Sequence, residues 1–175
     1  MVNYDDELVF PVYQKAEELG LVCLFHTGVV ARPKDVVVRQ GFSKRMQPIF
    51  LYTIARCFPG LKIIGAHCGN PWLDEMAMCV RWNENLYADL SGSMLKHRQP
   101  GYLRDLFWWE FANPTFKGGG LGPFDKVVFG SDDAPESVAE AIKNYWDHFD
   151  AINLSEESRE KVWHPNTEKL LGLDS

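Results

Sequence analysis

Three residues able to bind a metal or move a proton stand where apolar runs end. His26 closes Leu21-Val22-Cys23-Leu24-Phe25-His26, and His67 closes Lys62-Ile63-Ile64-Gly65-Ala66-His67. Asp132 closes Lys126-Val127-Val128-Phe129-Gly130-Ser131-Asp132, and a further run ends in Asp89-Leu90-Ser91. Imidazole and carboxylate are ligands of zinc and similar divalent cations. The same groups serve as general acids and bases near neutral pH. Each of the three is followed by small or turn residues: Thr27-Gly28, Cys68-Gly69 and Asp133-Ala134-Pro135. A single histidine at a strand end is commonly structural, but three such residues on three strands point to a shared site.

Other residues carry weaker signals. His97, in Lys96-His97-Arg98, reads as part of a solvated loop, while His148 sits on an outer helix and His164 at a helix junction. Arg32, Arg39, Lys44 and Arg45 follow His26, where arginine could grip a substrate carboxylate with two hydrogen bonds. A solvated charged loop is the plainer reading of that stretch. Gly118-Gly119-Gly120 precedes a turn and a strand rather than a helix, so it fits no phosphate loop. Phe107, Trp108 and Trp109 read as packing or interface residues. Cys68 adjoins His67, but strand alternation turns it elsewhere, and no nucleophile is assigned.

The elements that position these residues alternate. Apolar residues at helical spacing over Leu8–Leu19 predict a helix stopped by Gly20. The nearly continuous apolar run 21–26 then suits a strand buried on both faces. Further helices are predicted at 47–57, from Asn70-Pro71 to Trp82 with Asn70 as N-cap, at 102–111 and from Pro135 to Phe149. Two short helices end the chain, the first capped by Ser155, the second opened by Pro165 and closed by Gly172. Strands are predicted at 62–67, 86–91 and 126–132. Strands alternating with helices mean a parallel sheet with right-handed crossovers, read here as one α/β domain over 1–175. In such a sheet the C-terminal strand ends share one rim, so His26, His67 and Asp132 should meet there. Four strands are half of an eightfold β/α barrel, which typically takes about 250 residues.

Composition narrows the function classes. The 175 residues are 46% hydrophobic and 24% charged, which is globular usage. A net charge of -6 argues against nucleic-acid or membrane-surface partners, which need a basic face. No apolar run reaches the roughly 18 residues of a membrane span. The acidic start, Met1 to Asp6, leads into no apolar signal segment. The four cysteines form no paired metal-binding spacing and predict reduced thiols in a cytoplasm.

Taken together, Leu24-Phe25-His26-Thr27-Gly28, Phe58-Pro59-Gly60-Leu61-Lys62-Ile63-Ile64-Gly65-Ala66-His67-Cys68-Gly69-Asn70-Pro71-Trp72, Asn85-Leu86-Tyr87-Ala88-Asp89-Leu90-Ser91-Gly92 and Val128-Phe129-Gly130-Ser131-Asp132 resemble the amidohydrolase-related family. That family includes hydrolases, lactonases and nonoxidative decarboxylases. The ending Asn166 to Leu173 looks like its final helix. The resemblance implies that His26 is the metal-ligand histidine of the fifth barrel strand. It implies that His67 is the sixth-strand histidine, acting on water or substrate, and that Asp132 is the eighth-strand aspartate, a metal ligand and proton acceptor. One divalent ion, zinc first, and a small carboxylated substrate follow from it.

The chain departs from the family at one point. The other two family ligands form a His-x-His pair on the first strand. None of the five histidines here makes such a pair, and none precedes His26. The resemblance therefore covers the second half of the barrel only. Three protein ligands are usual for a catalytic zinc. Either another polypeptide supplies the first half, or the chain is a noncatalytic half-barrel that serves as an interaction or regulatory subunit, or it is a fragment of a longer product. A half-barrel also leaves two edges, on the first and fourth strands, and an inner face uncovered. It should self-associate, pair with a first-half partner or flatten into a sheet covered on both faces. Val22, Leu24, Ile63, Val127 and Phe129 are the strand residues available for such packing.

Overall fold

The apolar runs come together as one sheet in a computed structural model that describes residues 2–30, 43–112 and 121–173. The strands are β1 (Val22–His26), β2 (Lys62–Ala66), β3 (Leu86–Asp89) and β4 (Val127–Val128). They lie in the order β1-β2-β3-β4, every neighbouring pair parallel. Register sets His26 beside Ala66 and Asp89 beside Val128, so the strand ends line up on one rim. The helices are α1 (Phe10–Glu18), α2 (Ile49–Cys57), α3 (Leu73–Trp82), α4 (Ser93–Lys96), α5 (Tyr102–Leu106), α6 (Val138–Ala151), α7 (Glu156–Trp163) and α8 (Pro165–Leu171). This is the four-stranded parallel α/β arrangement that the alternation of runs predicts.

Several boundaries differ from expectation, each for a local reason. The Asn70-Pro71 bond is cis and the helix begins only at Leu73. Asn70, at φ -50° and ψ 118°, instead ends the preceding 3-10 turn His67–Gly69, its N–H donating to His67 O, and does not cap α3. The third strand stops at Asp89 because Leu90 N–H donates to the Tyr145 hydroxyl (3.1 Å) rather than to a strand. The fourth spans two residues because Phe129 N–H donates to Val162 O (3.0 Å). The short helix α4 falls where the sequence predicts no element. The termini match their signals better: Ser155 Oγ accepts from Ser158 N–H at 3.2 Å, and Gly172, at φ 69°, closes α8.

One face of the sheet is sealed. Ile63, Leu86, Ala88 and Val127 are buried in a continuous apolar cluster with Leu51, Ile54, Met76, Val80, Tyr145 and Phe149 from the helices. Each large side chain so buried contributes about 1.5–3 kcal/mol. The packing is so close that a side chain at Gly65 would begin 2.3 Å from Met76 Cε, so the methionine would have to move to admit it. Polar staples secure the connections. Asn85 Nδ2 donates to Ala55 O, Phe58 O and Leu61 O, and Asn166 Nδ2 to Phe124 O and Val127 O. Lys126, only 3% exposed, donates from Nζ to Val80 O (2.8 Å) and Asn83 O (2.7 Å). Burial pushes its amine down to about 8.

The other face is only partly covered. Tyr87 and Val128 pack with Leu170 of α8, and Val22 and Ile64 lean on that small cluster half-buried. Leu24 remains 65% exposed. The five residues expected to be available for inward packing therefore divide. Ile63 and Val127 belong to the helix side, and Phe129 stacks with Tyr145 and Trp163 at 5.2 and 5.1 Å. Val22 and Leu24 alone face the open side.

Candidate functional site

At the C-terminal rim the three strand-end residues meet. His26, His67 and Asp132 line one cleft of about 460 Å³, together with Asp89, Ser91 and Thr167. The His26 and His67 rings stand 4.8 Å apart, centre to centre, in an edge arrangement. His67 Nδ1 and Asp132 Oδ2 lie 3.2 and 3.3 Å from the point where a side chain at Gly92 would begin. Glycine at that position, at φ 66°, keeps the space between them open.

Backbone conformation aims two of the three. Ala66 ends β2 and lines the cleft, so alternation would send the next side chain to the helix side. Instead His67 adopts φ 62° and its ring enters the cleft, while Cys68, at φ 48°, takes the buried direction. Asp132 is turned likewise, at φ 53°. Left-handed backbone at a non-glycine residue costs about 1–3 kcal/mol and persists only when its surroundings over-determine it. Here both neighbouring strands hold the turn after β2. His67 N–H donates to Asp89 Oδ1 at 2.9 Å, and Gly69 N–H donates to Thr27 Oγ1 at 2.9 Å. The Thr27 hydroxyl donates in turn to Ala66 O.

Asp89 Oδ1 gathers further donors. Ser91 N–H reaches it at 2.9 Å and the Ser91 hydroxyl at 2.5 Å. Ser91 Oγ also lies 2.8 Å from His67 Nδ1. On β1, His26 O accepts from the Tyr4 hydroxyl at 3.1 Å. The His26 Nε2 atom is buried without a hydrogen-bond partner. Burial first, then the neighbouring His67, hold its imidazole below the usual range, against the opposite pull of Asp132 and Asp89. Asp132 is exposed at the cleft mouth.

The weaker candidates stand apart. His97 is exposed, and His148 is buried with Nε2 3.0 Å from Leu95 O. His164 is exposed, 3.4 Å from Glu168. Lys44 and Arg45 fall in a short turn, Ser43–Met46, off the cleft lining. Arg32, Arg39 and Gly118-Gly119-Gly120 lie outside the described residues. Phe107 and Trp109 are core, and half-exposed Trp108 carries the Arg81 guanidinium 4.4 Å above its ring. Burial pushes the Cys68 thiol well up, toward its unreactive protonated form. Asp89 and Ser91 were visible in the sequence as the end of a run, without a role. An Asp-x-Ser at a strand end was the signal, because its side chains can bond back to the adjacent strand's turn.

These residues fit part of a metal site. An imidazole nitrogen without a partner beside a carboxylate is a donor set for zinc or manganese, and neutral imidazole is the form that binds metal. His26 and Asp132 would be the ligands. Among the described residues no group of three or more His, Cys, Asp or Glu stands close enough to hold a metal ion. The remaining ligands would have to come from elsewhere.

A family model described as "Amidohydrolase" matches residues 2–173. Similar solved structures include an uncharacterised TIM-barrel protein from Bordetella bronchiseptica, at 23% identity and TM-score 0.69, covering 98% of this chain and 52% of that one. A dihydroxybenzoic acid decarboxylase from Polaromonas sp. JS666, with bound manganese and the inhibitor 2-nitroresorcinol, is 17% identical with TM-score 0.62, over 99% of this chain and 56% of that one. An amidohydrolase from Burkholderia multivorans with bound zinc is 14% identical with TM-score 0.59, over 97% and 58%. At these identities the likeness is one of fold. The chain spans about half the length of these structures. No curated protein sequence matches it.

Proposed function

The chain belongs to the amidohydrolase family, and on that premise we propose that it is half of a metal-dependent hydrolase or nonoxidative decarboxylase acting on a small, carboxylated substrate. The observation that carries this reading is the cleft in which His26, with its unpartnered Nε2, stands beside His67 and Asp132. His26 and Asp132 would hold one divalent ion, zinc by preference. Bound there, such an ion would polarise a carbonyl or carboxylate oxygen and activate water. The chain's own residues then handle protons and orientation. A hydrolysis must protonate its leaving group, and a decarboxylation must protonate the carbon that loses carbon dioxide. His67 and Asp132 both face the cleft and can carry that proton. Asp132, at the exposed mouth, is the group that exchanges with solvent.

Completion of the site needs the first half of a barrel, whether on a separate partner or on a longer form of the same polypeptide. The open strand face around Leu24, and the exposed Leu8, Val12, Leu19 and Leu21 along α1 and the entry to β1, suit a companion supplying the first half of a barrel. A second copy of this chain could cover the same face but would duplicate His26 and Asp132. The free cysteines suit a reducing cytoplasm. Among the described residues no helix is long and apolar enough to cross a membrane.

A second reading is a noncatalytic half-barrel subunit, favoured by the lack of a three-ligand cluster among the described residues. Metal analysis of the purified chain, alone and with any co-purifying partner, separates the two. About one zinc or manganese per active unit, lost in His26→Ala, is expected. Absence of metal even with the first barrel half present, the cleft being intact, would favour the noncatalytic reading instead.

A further inference from the structure

We infer that Asp89 and Ser91 are positioning residues that fix the tautomer of His67, placing its ring proton on Nδ1 and leaving Nε2 as the free base in the cleft. The inference rests on the reading of His67 as a proton carrier, and it concerns which nitrogen does the carrying.

A serine hydroxyl has one proton to give and two lone pairs to offer. Ser91 Oγ has two close polar neighbours, Asp89 Oδ1 at 2.5 Å and His67 Nδ1 at 2.8 Å. A carboxylate only accepts, and 2.5 Å is the length of a charge-assisted O–H···O bond. Asp89 Oδ1 also accepts the backbone N–H groups of His67 and Ser91, so three donors converge on one oxygen, as suits an anionic acceptor. The serine proton therefore points at Asp89. What Ser91 presents to His67 is a lone pair, and Nδ1 must supply the proton of that bond. In neutral imidazole the other nitrogen, Nε2, is then unprotonated.

One carboxylate oxygen thus acts twice on His67. Through the backbone N–H it holds the left-handed residue that turns the ring inward, and through Ser91 it sets the ring's tautomer. Asp89 and Ser91 are both buried. Gly130 leaves just enough room, since a side chain there would press on Asp89 Cγ at 3.3 Å.

Long-range proton–nitrogen NMR on the chain with 15N-labelled histidine reads the tautomer directly, without turnover. At about pH 8 an ordinary imidazole is neutral. His67→Asn identifies the His67 signals by their loss. The proton is expected on Nδ1 in the native chain. Ser91→Ala removes the acceptor and should move at least half of the population to Nε2–H, whereas Ser91→Thr keeps the hydroxyl and should keep the Nδ1–H form. Asp89→Ala removes the acceptor oxygen, frees the serine proton to point at the imidazole and should shift the population the same way as Ser91→Ala. If Asp89→Ala does not fold, Ser91→Ala and Ser91→Thr decide alone, because each changes a single small group. A native Nε2–H tautomer, or a proton unmoved by Ser91→Ala, would overturn the inference. Failure of the chain to bind metal would strike the functional reading and leave this result standing.

Discussion

The two faces of the sheet are the two sides of the same four strands, yet they are finished to different degrees. On the helix side Leu86 is 0% exposed and its neighbours Ile63, Ala88 and Val127 are as fully enclosed. On the other side Leu24 is 65% exposed, Val22 and Ile64 are half-covered, and among the described residues the lid is α8, through Leu170. The helix side has what a fold needs to be stable. The open side carries the site at its rim and depends on whatever is laid over it. Stability and chemistry are therefore assigned to opposite faces, and substitutions should report on one without the other.

The sharpest contrast is between Leu86→Ala and Leu24→Ala. The first empties a closed site and should cost about 2–5 kcal/mol. The second, on an exposed side chain, should stay within about 0.5 kcal/mol. Urea unfolding of both variants checks this at low protein concentration. Equal losses would break the comparison. A Leu24→Ala loss that grows with protein concentration would show a second molecule covering the open face.

Lys126 tests the sealed side from its polar floor. Its amine titrates near 8 in the folded chain, against about 10.4 for an ordinary lysine. Between those values the unfolded chain binds more protons, so stability rises with pH across that window. The amplitude is about 3 kcal/mol, because each tenfold loss of proton affinity on folding is worth about 1.4 kcal/mol. Lys126→Met removes this rise, and the difference between native and variant stability from pH 8 to 10 measures it. A flat difference would mean that the amine is hydrated rather than enclosed.

His148, on the buried face of α6 against the carbonyl of Leu95, gives a smaller effect of known sign. Burial holds its imidazole below the ordinary value near 6.5. Below that value the unfolded chain takes up the proton first, so stability falls as the pH drops and is untouched above it. Thermal melts of the native chain and His148→Leu between pH 5 and 7.5 should diverge only at the acid end. Smallest of all is Lys143→Ala on the solvent side of α6. Its ion pair with Asp147 is exposed, and its loss should change stability by no more than about 0.5 kcal/mol in chemical denaturation.

Much of this division was legible in the sequence and some of it was not. The runs ending at His26 and His67 revealed their strands because a strand buried on one side and half-covered on the other needs apolar residues at nearly every position. That His26, His67 and Asp132 lie at one rim followed from topology, since parallel strands share a rim. The aim of His67 did not follow. Alternation turns it away from the cleft, and only the left-handed backbone held by Asp89 and Thr27 brings it back. Asn70-Pro71 carried a good helix-start signal that the preceding turn overrode. Lys126 read as an ordinary strand-entry lysine, because nothing in the local sequence marks the carbonyls of Val80 and Asn83 that enclose it. Contacts between residues more than forty positions apart leave no trace in composition or period.

The exposed flank of β1 has a consequence for handling the chain. Among the described residues β1 has a strand on one side only, so its outer backbone groups have no ladder partner there. The stretch from Val22 to Phe25 contains no proline, lysine or glutamate, the gatekeepers that commonly keep edge strands from adding to one another. With Leu19, Leu21 and Leu24 exposed around it, this flank is a template for edge-to-edge growth. In solution the isolated chain is then colloidally fragile even where its sealed core is sound, and a cover over β1 would act as a solubiliser. A single charge written into that strand, Leu24→Lys, should raise the concentration at which the chain stays clear without touching the core that folds it.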